Sequence, residues 1–294
     1  MRVQVPAQFE YERATSVDHA IALLARHGPE SRVLAGGHSL IPMMKLRLAE
    51  PETLIDINDL SELAGIAAEG DELCIGAMAR HADLLASEVA GFHCPILHDA
   101  ERVIADPVVR NRGTVGGSVC QADPSEDLSA AFTAVQATAV IRGADGTRTV
   151  SMRKFFTAPY ETVVAPAELL VQLRVPIHPD GGSAYVKVER RVGDWPVAAV
   201  GAALRLGRRN KITEAGIGMT AVGAAHFVAA EAEAYLHGKP ATEEHFAKAG
   251  EIAAAHCRPS ADQRGPVDYK RHLAGELTRR ALSRDAERAM ARAT

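Results

Sequence analysis

Cysteine is scarce in this chain of 294 residues, and the four present, Cys74, Cys94, Cys120 and Cys257, stand far apart. No Cys-x-x-Cys pair or longer cluster occurs, which excludes an iron–sulfur centre of the chain's own and a disulfide framework. The four read as unpaired small hydrophobes. Long apolar runs are missing too. No segment approaches the roughly 20 apolar residues that span a bilayer, and the opening Met1-Arg2-Val3-Gln4-Val5-Pro6 lacks the apolar core of a secretory leader. The expectation is a cytoplasmic chain without a membrane span. Neither sign of charge is in excess: the net charge of −4 leaves no footprint for nucleic acid or a membrane surface. Aromatic residues make up only 4%, with a single tryptophan, Trp195. Internal repeats and low-complexity segments are absent. What remains, 47% hydrophobic and 24% charged, is ordinary globular composition, and the length suffices for two or three packed units.

The pattern along the chain predicts three units, 1–57, 58–177 and 178–294. In the first, a helix over 16–27 carries Thr15 and Asp18 at capping-box spacing, with Gly28 just past its end. Strands at 32–35 and 53–56 flank a short helix near 43–48, an α/β alternation. In the second, hairpins are expected around Gly70-Asp71 and Gly146, with helices at 81–87, 95–104 and 128–137 and a strand at 168–175. Pro176, Pro179 and Gly181-Gly182 read as a boundary. Beyond it, Ala184, Val186 and Val188 alternate with Tyr185, Lys187 and Glu189, the pattern of a half-buried strand. Strands at 197–206 and 211–219 follow, then helices at 224–236, 242–255 and 267–283. In the last of these Tyr269, Leu273, Leu277 and Ala281 form one apolar stripe.

Two glycine-paired turns stand out, Leu34-Ala35-Gly36-Gly37-His38-Ser39-Leu40 and Gly113-Thr114-Val115-Gly116-Gly117-Ser118. Gly-Gly lets backbone approach a ligand closely and present successive N–H groups to an anion. Two such turns point to one ligand gripped on both sides of a pyrophosphate. Neither matches Gly-x-Gly-x-x-Gly, and no Gly-Lys-Ser/Thr follows either, so a standard nicotinamide site and a Walker loop are disfavoured.

The run from Leu34 through Ile41-Pro42-Met43-Met44-Lys45-Leu46-Arg47-Leu48 resembles the first flavin-binding segment of molybdenum hydroxylase medium subunits. Ile104-Ala105-Asp106-Pro107-Val108-Val109-Arg110-Asn111-Arg112 running into the second turn, with Asp123-Pro124 and Asp127 beyond, resembles the second. Tyr185-Val186-Lys187, Arg190-Arg191-Val192-Gly193-Asp194-Trp195 and Asp262-Gln263-Arg264-Gly265 are similar to the family's C-terminal domain. The resemblance covers essentially the whole chain and is greatest to the carbon monoxide dehydrogenase branch. It implies an α+β fold: a two-part FAD-binding domain of the vanillyl-alcohol-oxidase-like (PCMH) type, then a smaller α+β domain. It also implies non-covalent FAD, a large molybdenum–pterin subunit and a small subunit with two [2Fe–2S] clusters. The assembly would be a dimer of heterotrimers, passing electrons to an external acceptor such as a quinone and open to membrane association through the complex.

Carried over residue by residue, the resemblance assigns Arg32, Leu34, Ala35, Gly36, Gly37, His38, Ser39, Leu40, Ile104, Gly113, Thr114, Val115, Gly116, Gly117 and Ser118 to the cofactor. It adds Asp123, Asp127, Leu169, Leu170, Lys187 and Trp195, and neither catalytic nor metal-ligating residues. Ser118 stands where many relatives have asparagine. Simpler roles stay open: Asp127 as a helix cap, Lys187 as a solvated strand residue, Trp195 as an interface anchor. Purine, N-heterocycle or aldehyde oxidation by the large subunit is the nearest alternative function. A self-contained flavin oxidase, and a scaffolding subunit that has lost FAD, are the more distant ones.

Overall fold

The computed structural model describes residues 5–292, so Met1–Gln4 of the N-terminal segment and the last two residues lie outside it. Strand β1 (Glu10–Arg13) leads into helix α1 (Val17–His27), which buries Val17, Ala20, Ile21, Leu23 and Leu24 along one face. Its cap is Ser16, whose hydroxyl accepts from the His19 N–H at 3.0 Å. The expected Thr15 cap is displaced by one residue, because the Thr15 hydroxyl engages the His19 ring instead. Gly28 ends the helix at φ 67°, as its position predicts. Strand β2 (Ser31–Leu34), helix α2 (Leu40–Lys45) and strand β3 (Thr53–Asp56) complete a parallel sheet ordered β1-β3-β2. Helix α2 starts three residues earlier than expected. Pro42 sits in its first turn, where a missing N–H costs no helical bond.

The middle of the chain builds a five-stranded antiparallel sheet and a run of short helices. Strands β4 (Ile66–Glu69) and β5 (Glu72–Gly76) form the expected hairpin. Helices α3 (His81–Ala86), α4 (Glu88–His93), α5 (Pro95–Val103), α6 (Pro107–Arg110), α7 (Val115–Gln121) and α8 (Asp127–Ala134) follow. Strands β6 (Thr138–Gly143), β7 (Gly146–Ser151), β8 (Phe156–Ala158), β9 (Glu161–Thr162) and β10 (Leu169–Pro176) come next, and the sheet order is β4-β5-β10-β6-β7.

The third sheet runs β11 (Gly181–Val188), β12 (Ala198–Leu206) and β13 (Ile212–Thr220), backed by helices α9 (Ala230–Leu236), α10 (Glu243–His256) and α11 (Val267–Arg292). The glycine pair at 181–182 opens β11 rather than forming a linker. Gly182 is paired with Leu204, and a Cβ on it would strike Asp285 of α11. Nor is β11 half-buried: α11 covers one face and α5 the other, so both Ala184 and Tyr185 are inside. Helix α8, every residue of which is buried, lies flush on β13, because Gly216 and Gly218 leave room for the carbonyls of Ala134 and Ala130. Helix α9 is shorter than expected, since the Ala229 N–H pairs with the Ile217 carbonyl at the sheet edge. Helix α11 is longer, running past Ser283 so that Arg284 and Arg288 reach Asp99 of α5.

Asp285 is sealed in this packing, and neither of its carboxyl oxygens has a hydrogen-bond partner. Burial pushes its pKa well above the carboxylate range, against the pull of Arg288. The folded state then holds a proton that the unfolded state has released, so stability falls as pH rises above about 4. Asp285→Asn is expected to flatten that dependence. Between pH 5 and 8 the melting temperature should drop more in the wild type than in the variant, and equal slopes would refute the assignment.

Candidate functional site

Strand β2 delivers the chain to the first glycine turn at the edge of an open cleft of ≈ 1310 Å³, larger than the roughly 300–1,000 Å³ typical of small-ligand pockets. Gly37 takes φ 79°, which only glycine adopts without strain. Beyond it the backbone enters α2, where the Ile41 N–H returns to the Gly37 carbonyl. Among the described residues, the N–H groups of Gly36, Gly37, His38, Ser39 and Leu40 donate to nothing in the chain. This is a row of open donors at a helix start, the arrangement that holds an anion.

The second turn differs. The Gly113 N–H donates to the Val109 carbonyl at 2.7 Å, Val115 to Ala79 at 2.9 Å and Gly116 to Ala77 at 2.8 Å. The Gly117 N–H goes to the Thr114 hydroxyl, which caps α7, and that of Ser118 to the Thr114 carbonyl. Its glycines serve contact instead. Gly116 lies flat on Ala77, where a Cβ would come within 2.6 Å of the alanine methyl. The two turns touch: a Cβ on Gly36 would strike the Arg112 carbonyl and come 2.8 Å from the Gly113 Cα. Asn58 and Arg80, unremarkable in the sequence, tie them together. The Asn58 amide donates to the Ala35 carbonyl at 2.8 Å, Arg80 donates to Asn58 Oδ1 at 2.8 Å, and Arg80 also donates to the Arg112 carbonyl.

Below the cleft lies a layer of charge. Lys187 of β11 has a side chain only 2% exposed; its Nζ donates to Asp127 Oδ2 and to the Val103 carbonyl, each at 2.9 Å, and lies 3.5 Å from Glu189. Tyr185 donates its hydroxyl to the other Asp127 oxygen at 2.8 Å. Burial raises the Asp127 pKa, partly offset by Lys187. Lys187 is therefore a buried ion-pair partner at the cleft floor, not a solvated strand residue. Asp127 is not the cap of α8 either. Glu126 caps it, accepting from the N–H groups of Leu128 and Ser129, and burial lifts its pKa to about 7.

Of the residues singled out from sequence, Arg32, Ala35 to Leu40, Ile104, Gly113, Thr114, Gly116, Gly117, Ser118, Asp127, Leu169, Leu170, Lys187 and Trp195 line one cleft. Three sit one layer back. Leu34 gives its carbonyl to the Ile57 N–H, and Val115 is fully buried under the α7 cap. Asp123 accepts from the Ser125 N–H at 2.9 Å and from the Tyr160 hydroxyl at 3.2 Å, pinning a turn. Trp195, 46% exposed, stands on a loop held by Gly193, which at φ 78° lies against the Ala105 carbonyl. Sequence reading missed His81, Asp106, Gln121, Tyr160, Arg191 and Asp194, which also line the cleft. Proximity to the motifs could have suggested Asp106, Arg191 and Asp194; nothing local marks the others. No cluster of metal-ligating side chains occurs among the described residues.

Comparison with known proteins agrees with this geometry. Residues 7–178 match the model of the FAD binding domain in molybdopterin dehydrogenase, and residues 183–284 that of the CO dehydrogenase flavoprotein C-terminal domain. The chain is 42% identical over 280 residues to the carbon monoxide dehydrogenase medium chain of Hydrogenophaga pseudoflava, covering 95% of this chain and 97% of that one. It is 39% identical to the corresponding chain of Afipia carboxidovorans, covering 97% and 99%. A solved structure of the Hydrogenophaga pseudoflava carbon monoxide dehydrogenase superposes with a TM-score of 0.92 at 42% identity, covering 98% of this chain and 99% of that one.

Proposed function

The chain belongs to the family of FAD-binding medium chains of the molybdopterin dehydrogenases, and from that premise we propose that it is the electron-transfer subunit of a molybdenum-dependent carbon monoxide dehydrogenase. On this reading a large molybdopterin subunit oxidises the substrate, CO + H2O giving CO2, two protons and two electrons, and a small subunit relays the electrons through [2Fe–2S] clusters. This chain adds no acid, nucleophile or metal to that reaction. Identity to the medium chains of two carbon monoxide dehydrogenases over nearly all its length supports this substrate over a purine, an N-heterocycle or an aldehyde.

The observation that carries the FAD reading is the row of open N–H groups from Gly36 to Leu40, facing a cleft of dinucleotide size. Those groups would hold the pyrophosphate, while the second turn, with the N–H groups of Gly113 and of Val115 to Ser118 already engaged, gives close contact and the Ser118 hydroxyl. Leu169 and Leu170 would offer an apolar wall, Trp195 a stacking face, and Lys187 a buried positive charge near the ring. Leu34, Val115 and Asp123 would act by shaping the turns. Bound FAD supplies a centre that accepts electrons from the clusters and yields them to an external acceptor. We assign residues 1–57 and 58–177 to the two parts of the FAD domain and 178–294 to the C-terminal domain, in keeping with the three sheets of three or more strands. Action in the cytoplasm, with a quinone or membrane-linked carrier as acceptor, fits a chain in which no helix of the described residues can cross a membrane.

Purification of the complex from its host tests the reading. The expected preparation holds FAD, molybdenum and iron, and reduces a dye when given carbon monoxide. Dye reduction by a purine or aldehyde but not by carbon monoxide would move the substrate; a complex without flavin would overturn the function.

A further inference from the structure

Under the second glycine turn three side chains from three helices form a line. Glu101 of α5 holds Nδ1 of His81 of α3 at 2.9 and 3.1 Å, and Nε2 of His81 lies 3.2 Å from the hydroxyl of Ser118 on α7. Glu101 is fully buried and His81 nearly so, whereas Ser118 reaches the cleft. The ring also supports the turn itself, since a Cβ on Gly113 would come 2.8 Å from its Cδ2. Hydrolytic triads use the same residue types, but the Gly117 and Ser118 N–H groups are both spent on Thr114, so the usual oxyanion donors are lacking.

Proton count decides what Ser118 offers the cleft. With a single proton on the His81–Glu101 pair, held between Nδ1 and the carboxylate, Nε2 is bare. It then accepts the serine hydroxyl and turns oxygen lone pairs toward the ligand. With two protons, Nε2 donates to Ser118 Oγ, and the hydroxyl hydrogen is free to point outward. This holds wherever the inner proton sits between Nδ1 and Glu101.

We propose that His81 and Glu101 are positioning residues that keep Ser118 oriented as a hydrogen-bond donor to an anionic oxygen of the bound FAD. The inference rests on the FAD reading above. The electrostatics agree with it. Burial draws the His81 pKa down, but Glu101, together with Glu126 and Asp127 facing from α8, outweighs that and leaves it raised. Burial raises Glu101 as well, against His81 and Arg110. Both directions favour the doubly protonated pair, and a rise in pH removes the second proton and reverses the serine.

The test is FAD retention by the intact complex, followed by flavin fluorescence on dilution between pH 6 and 9. In the wild type, affinity should fall as pH rises. Ser118→Ala should weaken binding about tenfold at the acid end and abolish the slope. Ser118→Asn, whose amide donates at every pH, should restore affinity without the slope, and His81→Gln should likewise bind independently of pH. A slope that persists in Ser118→Ala or His81→Gln overturns the proposal. A wild-type complex that holds no FAD at any pH would instead overturn the FAD reading itself.

Discussion

Gly36→Ala should strip the chain of its flavin. The added methyl would meet backbone only, the Arg112 carbonyl and the Gly113 Cα, the latter at 2.8 Å. No side-chain rotation can relieve a clash with backbone, so one glycine turn must move off the other. The row of open N–H groups shifts with it, and the Asn58–Arg80 tie that spans both turns is stretched. Overpacking of this kind costs about 1–3 kcal/mol of stability, which a domain of this size tolerates. The flavin site depends on the spacing that is lost. The expected result is a folded complex with under a tenth of the wild-type flavin-to-protein absorbance ratio. Gly91→Ala is the control: a Cβ there meets nothing within 4 Å, and full flavin content is expected. Normal flavin in Gly36→Ala would show that contact between the turns is not needed for binding.

Lys187→Met should give the largest loss of stability. The lysine neutralises Asp127 within a buried layer that also holds Glu126 and is edged by the half-buried Glu189. Removing one partner of such a pair leaves an uncompensated charge and costs about 3–5 kcal/mol. The sign of the pH dependence follows. Without Lys187 the Asp127 pKa rises further above its unfolded value, and a raised carboxylate loses its stabilising proton advantage as pH increases. The variant should therefore melt lower at pH 8 than at pH 5, with a larger gap from the wild type at pH 8. Adding Asp127→Asn to Lys187→Met should recover at least half of the loss in urea unfolding. A single variant as stable as the wild type at pH 8 would show that Asp127 is already neutral and does not need the lysine.

Both predictions turn on contacts between residues remote in the chain, Gly36 with Gly113 and Asp127 with Lys187. Local rules read the sequence well where the determining atoms are neighbours. Gly28 ends α1, the 70–71 turn closes a hairpin, and β3 spans the residues that its apolar run marks. The same rules place α2 three residues late, because the Ile41 N–H closes onto the Gly37 carbonyl and starts the helix directly at the glycine turn. They stopped α11 at Ser283, because its last turns carry arginines whose partner, Asp99, is on another helix.

The sequence by itself determined the two glycine turns with the family they belong to, and four scattered cysteines without iron–sulfur or disulfide spacing. Each of these is written in composition or in residues a few positions apart, where propensity and spacing act directly. Only the tertiary structure decided that the turns are unequal. Whether a backbone N–H is free depends on which distant carbonyl packs against it; Ala79 and Ala77 take the N–H groups of Val115 and Gly116 in the second turn, and no such carbonyl among the described residues reaches those of Gly36 to Leu40 in the first. It also decided that β11 is covered on both faces, which turns Lys187 from a surface cation into a buried one. The same holds for the Glu101–His81–Ser118 line, whose members come from three separate helices and meet only when those helices pack under the second turn.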